Sequence, residues 1–478
     1  MRIARHSTLA EITGMTSRST MSAPITSTPG LLSAPTKNLR RIGLIPFVAI
    51  LFAYCTGGPF GFESMISSSG PGLALIFLLV VPCLFSVPIA LATAEMTTVM
   101  PVEGGFYRWS RGALGDFWGF QSGWWNWTGT FLVSASYGVA MADYVEAWIP
   151  QHSRLEHWVV AFLFLVLVAS INILGIRLVG NLTLVLLIAS FVPVIAFVVL
   201  GFHQAHFNPF HPLLPIGKPW REAYGVGLAL ALWSYSGYEQ LSTVIEEVEK
   251  PERNFPLGLS IVVPLTIATY VLTLSAGLAA LGNWREWQTG YIVTAARLIG
   301  GAGLGAAMFG ASAIANFILL ESTMLSVTRV PLAMAEDGYL HSGLAKVSAR
   351  FGTPVRSIVL STAFCAVLAL FSVTQLIAVY AWSRMATSLL TLLSFWTLRR
   401  KFPDLARSFR APGGAPGAVV IVLLPALLFV WAMINSDPAS RFWGVLNLAS
   451  GPVAFLWVWM RRRARLQSQS GNTASDQP

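Results

Sequence analysis

Apolar stretches of about twenty residues recur along the chain between short polar segments, and this alternation predicts about twelve membrane-spanning helices. Their approximate limits are 42–66, 72–98, 118–148, 157–174, 181–202, 222–246, 258–281, 302–328, 355–372, 375–398, 417–435 and 442–460. Two stretches carry helix breakers: Gly57-Gly58-Pro59-Phe60-Gly61-Phe62-Glu63 in the first and Tyr235-Ser236-Gly237-Tyr238-Glu239 in the sixth. In both, a glycine, an aromatic residue and a glutamate follow in the same order. A break inside a membrane helix frees backbone groups that hydrocarbon cannot satisfy, so it persists where it lines a polar cavity. Matched breaks in the two halves of a chain point to the substrate site of an inverted-repeat transporter.

The stretches group into two candidate repeats, residues 40–202 with spans one to five and residues 222–398 with spans six to ten. An odd number of spans per repeat reverses the orientation of the second, so the predicted fold is an all-α integral membrane protein with a 5+5 inverted repeat. A cytosolic loop at 399–416 leads to two further spans within 417–460. The Ser-, Thr- and Pro-rich segment 1–39 reads as a disordered cytosolic tail, and 461–478 as a basic and then disordered one. Lysine and arginine fall mostly on the side shared by both tails, with Arg399-Arg400-Lys401 and Arg461-Arg462-Arg463 as the strongest anchors. That bias places both termini in the cytoplasm, and the expected location is a plasma (cell inner) membrane.

Composition agrees. The chain is 55% hydrophobic and 11% charged over 478 residues, with a mean hydropathy of +0.64, outside the range of soluble proteins. The net charge of +10 sits in the loops, so it reads as topology and not as affinity for nucleic acid. Cys55, Cys83 and Cys365 lie in apolar runs, as packing residues do. His203, His206 and His211 have no metal-ligand spacing, and no nucleophile motif or phosphate loop stands out. No enzyme activity, metal or cofactor is expected; the bilayer is the expected surrounding and the oligomeric state is left open.

Chemistry concentrates on the charges within the spans. Glu63, Glu239 and Glu321 lie deep in apolar surroundings, where a charge costs at least ~2.5–3.5 kcal/mol. Burial favours the neutral acid and a bound cation favours the carboxylate, so such a glutamate can trade a proton for a positive substrate. The plain alternative is a structural acid paired with a fixed base. Arg384, in span ten, is the counterpart: it can pair with a pocket acid and form a gate, or belong to a structural ion pair. Glu95 and Glu103 read as loop or gate contacts. Phe60, Phe62, Trp233, Tyr235 and Tyr238 flank the breaks, and such rings attract ammonium groups. Trp124, Trp125 and Trp127 of span three read as packing or interfacial residues. If Glu63 and Glu239 face one cavity, a dication can bridge them and the two acids titrate as a pair.

The order of several motifs resembles the amino acid–polyamine–organocation transporters over roughly residues 40–460. Trp233-Ser234-Tyr235-Ser236-Gly237-Tyr238-Glu239, followed by Glu246-Glu247-Val248-Glu249-Lys250-Pro251-Glu252-Arg253-Asn254-Phe255-Pro256, is similar to the family's sixth span and its exit. Arg329-Val330-Pro331 with Ala333-Met334-Ala335-Glu336-Asp337-Gly338, then Gly352-Thr353-Pro354, resembles the loop after span eight. Phe402-Pro403-Asp404-Leu405 with Phe409-Arg410-Ala411-Pro412-Gly413 resembles the loop after span ten. The resemblance implies the leucine-transporter fold, with alternating access around broken spans one and six. Within the superfamily the chain looks most like the polyamine uptake and L-type amino-acid transporter-like branch, through Gly57-Gly58-Pro59-Phe60-Gly61 with Glu63, Gly104-Gly105-Phe106, Trp118-Gly119-Phe120-Gln121 and Glu321-Ser322. Pro59 removes an amide that many amino-acid carriers use for the substrate carboxylate. Span 181–202 lacks the lysine that some members carry where sodium would bind.

These readings imply a secondary active transporter of polyamines or related organic cations, coupled to protons. Gly57, Gly58, Phe60, Gly61, Glu63, Trp233, Tyr235, Gly237, Tyr238 and Glu239 are the expected substrate-binding residues. Glu239, Glu63 and Glu321 are the expected proton carriers and Arg384 the expected gate. An amino-acid permease for cationic or neutral substrates is the alternative, and a non-transporting nutrient sensor of the same fold is the alternative from another class.

Overall fold

The apolar runs marked above are helical over most of their described length. The structure, a computed structural model, describes residues 41–146, 153–215, 217, 220–371, 373–434 and 438–475. The tail expected over 1–39 lies outside the described residues. In chain order the helices are α1 (Leu44–Cys55), α2 (Ser64–Ser69), α3 (Pro71–Leu84), α4 (Ser86–Val99), α5 (Phe106–Leu114), α6 (Asp116–Glu146), α7 (Arg154–Leu174) and α8 (Ile176–His203). They continue as α9 (Trp220–Ser234), α10 (Pro251–Leu281), α11 (Tyr291–Val327), α12 (Arg329–Glu336), α13 (Val355–Leu368), α14 (Val373–Lys401), α15 (Gly414–Ile434) and α16 (Pro438–Ser475). A 3-10 helix, Gln240–Glu247, follows α9.

Among the described residues seven stretches are long and apolar enough to cross a membrane: Pro71–Val99, Arg154–Leu174, Ile176–His203, Pro251–Leu281, Tyr291–Glu336, Gly414–Ile434 and Arg441–Arg461. Leu44–Cys55, Ala223–Ser234 and Val355–Leu368 are shorter apolar helices. The chain is thus an all-helical, multi-pass integral membrane protein. The bend between α3 and α4 at Phe85 follows from Pro88, which lacks an N–H and crowds the carbonyl four residues earlier. Helix α16 runs on past Met460 to Ser475, where the sequence reading places a disordered tail.

Among the described residues the one β contact is a parallel bridge between Ile42 and Val248. The Ile42 amide donates to Glu247 O (3.0 Å) and the Glu249 amide to Ile42 O (2.9 Å), which ties the start of α1 to the end of the 3-10 helix. The same end of the bundle, which carries Arg399-Arg400-Lys401, is clamped by ion pairs. Glu95 of α4 accepts from Arg399 Nη2 (2.7 Å) and Nε (2.9 Å), from Arg407 Nε (3.1 Å) and from the Ala411 amide (2.8 Å). Arg108 of α5 pairs with Glu336 (2.7 Å) and Asp337 (3.4 Å). Arg329, at the head of α12, pairs through Nε with Glu247 Oε1 at 2.9 Å, with side-chain exposures of 0% and 3%.

The interior is built where these helices meet. Helix α1 packs on α8, α10 and α11, and α6 packs along α14. Trp124 and Trp125 of α6 donate their indole N–H groups to Ser450 Oγ (2.9 Å) and Leu448 O (2.8 Å) of α16, so they fasten a helix pair.

Candidate substrate-binding site

Helix α1 ends at Cys55 because the next residues cannot continue it. Thr56 Oγ1 accepts from the Gly58 amide (3.3 Å) and donates to Gly58 O (2.9 Å), closing a tight loop in place of a helical turn. Gly57 has φ +61°, and a Cβ built there would stand 2.8 Å from Leu319 Cγ and 3.0 Å from Ala315 O of α11. Only glycine meets both demands. Gly58 and Gly61 share the left-handed backbone, at φ +143° and +93°. Phe60 is half-buried beside Gly58, Trp233 lies against Gly61, and Phe62 is buried on the Tyr270 ring at 4.3 Å. Glu63, 1% exposed, turns back on this loop: its Oε2 accepts from the Gly61 amide at 3.0 Å, and its Oε1 has no hydrogen-bond partner among the described residues.

The second interruption begins after Ser234, at the end of α9. Helix ends leave carbonyls without intrahelical partners. Here they are met by neighbours: Tyr270 of α10 donates to Ser234 O (3.1 Å) and Ser86 of α4 to Tyr235 O (3.0 Å). The Tyr235 hydroxyl donates to Leu78 O at 2.8 Å, so this aromatic braces α9 against α3. Gly237 has φ +124°, and a Cβ there would meet the Tyr54 ring at 3.1 Å. Tyr238 is fully buried.

Glu239 follows and is fully buried. Ser388 Oγ of α14 donates to its Oε1, and Arg384 Nη2, one turn earlier on α14, stands 3.1 Å from its Oε2. The Arg384 side chain is 5% exposed, yet none of its three nitrogens makes a directed hydrogen bond among the described residues. The Gln240 side chain joins the cluster: its Oε1 accepts from Asn126 Nδ2 (2.7 Å) and Tyr54 OH (3.3 Å), and Ser326 Oγ donates to its backbone carbonyl (3.0 Å). Asn126 Oδ1 and Gln240 Nε2 have no hydrogen-bond partner among the described residues. Helices α1, α6, α11 and α14 thus converge on Glu239 and Gln240 with unused hydrogen-bonding capacity at the centre. Buried polar atoms are normally paired, so such a concentration marks a place where water or a ligand completes them.

Glu321, also fully buried, sits apart from this cluster. Its Oε2 accepts from Thr183 Oγ1 of α8 at 2.9 Å, and Asn172 Nδ2 of α7 reaches its backbone carbonyl at 3.4 Å. Among the described residues neither Glu63 nor Glu321 takes part in an ion pair. Glu63, Glu239 and Glu321 have no hydrogen-bond or ion-pair partner in common, so the structure does not gather the three acids on one bridge. Sequence reasoning passed over Asn126, Gln240 and Ser388. The position of Gln240 next to Glu239 was the one available signal.

The chain is a multi-pass helical membrane protein with a buried polar centre. Its sequence matches the profile of the family described as Amino acid permease over residues 47–459, and the chain belongs to that family. It is therefore a secondary transporter. The polyamine transporter RMV1 of Arabidopsis thaliana is 31% identical over 407 residues, covering 84% of this chain and 82% of that protein. The polyamine transporter PUT1 of Oryza sativa subsp. japonica is 32% identical over 399 residues, covering 81% of this chain and 73% of its own length.

Proposed function

We propose that the chain carries polyamines or related organic cations across the plasma membrane by alternating access, with protons as the coupling ion. The observation that carries this reading is Glu239: a fully buried carboxylate on a non-helical segment, at the meeting point of four helices. A cation is the usual answer to an acid at such depth. The names of RMV1 and PUT1 support the substrate class. In this reading the segments 56–63 and 235–239 are the breaks of spans one and six in a twelve-span, 5+5 inverted repeat, and both termini are cytoplasmic. Phe60, Trp233, Tyr238, Gly57, Gly58, Gly61 and Gly237 shape the pocket around Glu239, and Tyr235 holds it in place from behind. Glu63 and Glu321 are the better proton carriers, because among the described residues neither has a cation beside it, whereas Glu239 has Arg384.

Arg384 next to Glu239 favours a second reading. An acid and a base side by side complement a zwitterion, as an amino-acid permease requires. Uptake into proteoliposomes separates the two. Under an imposed inward proton gradient, radiolabelled spermidine or putrescine should accumulate, and unlabelled polyamines should compete far better than leucine or alanine. Equal competition by leucine would sink the polyamine reading.

A further inference from the structure

We infer that Arg384 is a tethered stand-in for the substrate's cationic group: its guanidinium neutralises Glu239 in the empty carrier, and the cargo's ammonium displaces it. The inference rests on the reading of Glu239 as the cation site.

The other buried arginines of this protein set the comparison. Arg329 reaches both oxygens of Glu247, at 2.9 and 3.4 Å, and also donates to Leu325 O (3.2 Å) and Thr328 Oγ1 (3.0 Å). Arg399 makes four hydrogen bonds, to both Glu95 oxygens, Ala411 O and Gly414 O. Arg407 reaches Glu95 and the carbonyls of Phe402, Pro403 and Leu405. Each of these guanidiniums is fastened at several points, as a structural ion pair in low dielectric must be to offset its desolvation. Arg384 is as buried as they are but is held by charge alone. A guanidinium held without directed hydrogen bonds gives up only its Coulombic attraction when it moves aside, and the cargo's ammonium replaces that attraction on the carboxylate.

It also has somewhere to go. Tyr380, one helical turn before it on α14, carries a hydroxyl oxygen and a ring face of the kind that accept a guanidinium. Ser388 stays on Glu239 Oε1 and keeps the carboxylate oriented while Oε2 changes partner. Until the cargo arrives, the stand-in spares the protein an unpaired buried charge. It also sets a threshold, because a ligand must outcompete a permanently charged group that never leaves the site. If Arg384 closes the centre for about nine-tenths of the time, apparent affinity is about tenfold weaker than the open site would give.

The test measures equilibrium binding of putrescine and spermidine to the purified full chain in lipid nanodiscs. Arg384→Met should tighten putrescine binding about tenfold. Arg384→Lys, which keeps a tethered cation, should show no such gain, and Arg384→Met combined with Glu239→Gln should lose it. Arg384→Gln serves in the same assay if the Met variant does not fold. Unchanged or weaker polyamine binding in both neutral variants overturns the stand-in, as does a gain that survives Glu239→Gln. Putrescine and spermidine are compared with ornithine, because a carboxylate receptor at Arg384 would weaken ornithine alone in the Met variant and so overturn the stand-in. The two readings fail separately. If wild type takes up no polyamine but the Met variant binds putrescine through Glu239, the stand-in holds and the transport reading falls. If wild type transports polyamine and the variants bind no tighter, the reverse is true.

Discussion

Removing the guanidinium of Arg329 should destabilise the fold by about 3–5 kcal/mol, because it strands Glu247 as a buried charge. Two charge-assisted contacts join the residues, Nε to Oε1 at 2.9 Å and Nη2 to Oε2 at 3.4 Å, and both side chains are buried. Hydrogen bonds to charged groups are worth about 1.5–3 kcal/mol each, so two of them bracket the same range. Arg329→Met and Glu247→Leu should each pay it alone. Made together they remove both charges, and the loss should shrink to about 1–2 kcal/mol, since an apolar pair of similar size replaces an ion pair nearly neutrally. The coupling energy of this cycle, the two single losses less the double loss, is then about 4–9 kcal/mol. Unfolding of the purified protein by SDS titration, followed by far-UV circular dichroism, gives the four stabilities. A double variant that loses the sum of the two single losses would refute the argument.

Further predictions address the site. Glu239→Gln should remove cation binding and also lower the melting temperature, because it leaves the buried Arg384 guanidinium without its counter-charge; retained binding of putrescine would exclude Glu239 from the site. Gly57→Ala should cost about 1–3 kcal/mol through its left-handed backbone, with more from the Leu319 contact, read as a lower melting temperature. Glu63→Gln and Glu239→Gln have no partner in common, so their effects on substrate affinity should add within about 0.5 kcal/mol; strong coupling would restore a shared bridge. Glu321→Gln can still accept from Thr183, so it should fold, but a loss of proton-driven accumulation with exchange of preloaded substrate intact is expected if it carries the proton.

Much of the fold was legible because the bilayer imposes a single solution on an apolar run, a helix, and glycine or proline marks where it fails. The bounds of α6, α7, α8 and α14 fall within a few residues of the expected spans, and the loops at Gly57 and Gly237 lie where their glycines require. Arg384 was readable as a partner for a pocket acid, since a span holding one arginine and no acid needs one from elsewhere. Which acid it meets depends on tertiary packing between residues far apart in sequence. Ser388, Asn126 and Tyr54 left no such trace, because hydroxyl and amide side chains are ordinary in membrane helices and mostly bond to their own backbone. Tyr235 was readable as an aromatic beside a break, but the bond of its hydroxyl to Leu78 O depends on tertiary packing against α3.

The pairing of Glu239 with Arg384 bears on how the carrier responds to voltage. An elementary charge moved across the whole membrane field gains or loses about 2.3 kcal/mol per 100 mV. A carrier whose empty centre held the glutamate alone would drag a negative charge through part of that field on every return stroke, and a cell with an inside-negative potential would drive that stroke outward. With the guanidinium 3.1 Å from the carboxylate, the empty centre moves no net charge, so its return is indifferent to the potential. With a cationic cargo, as proposed, the field then acts on the loaded stroke, and an inside-negative potential drives that cargo inward.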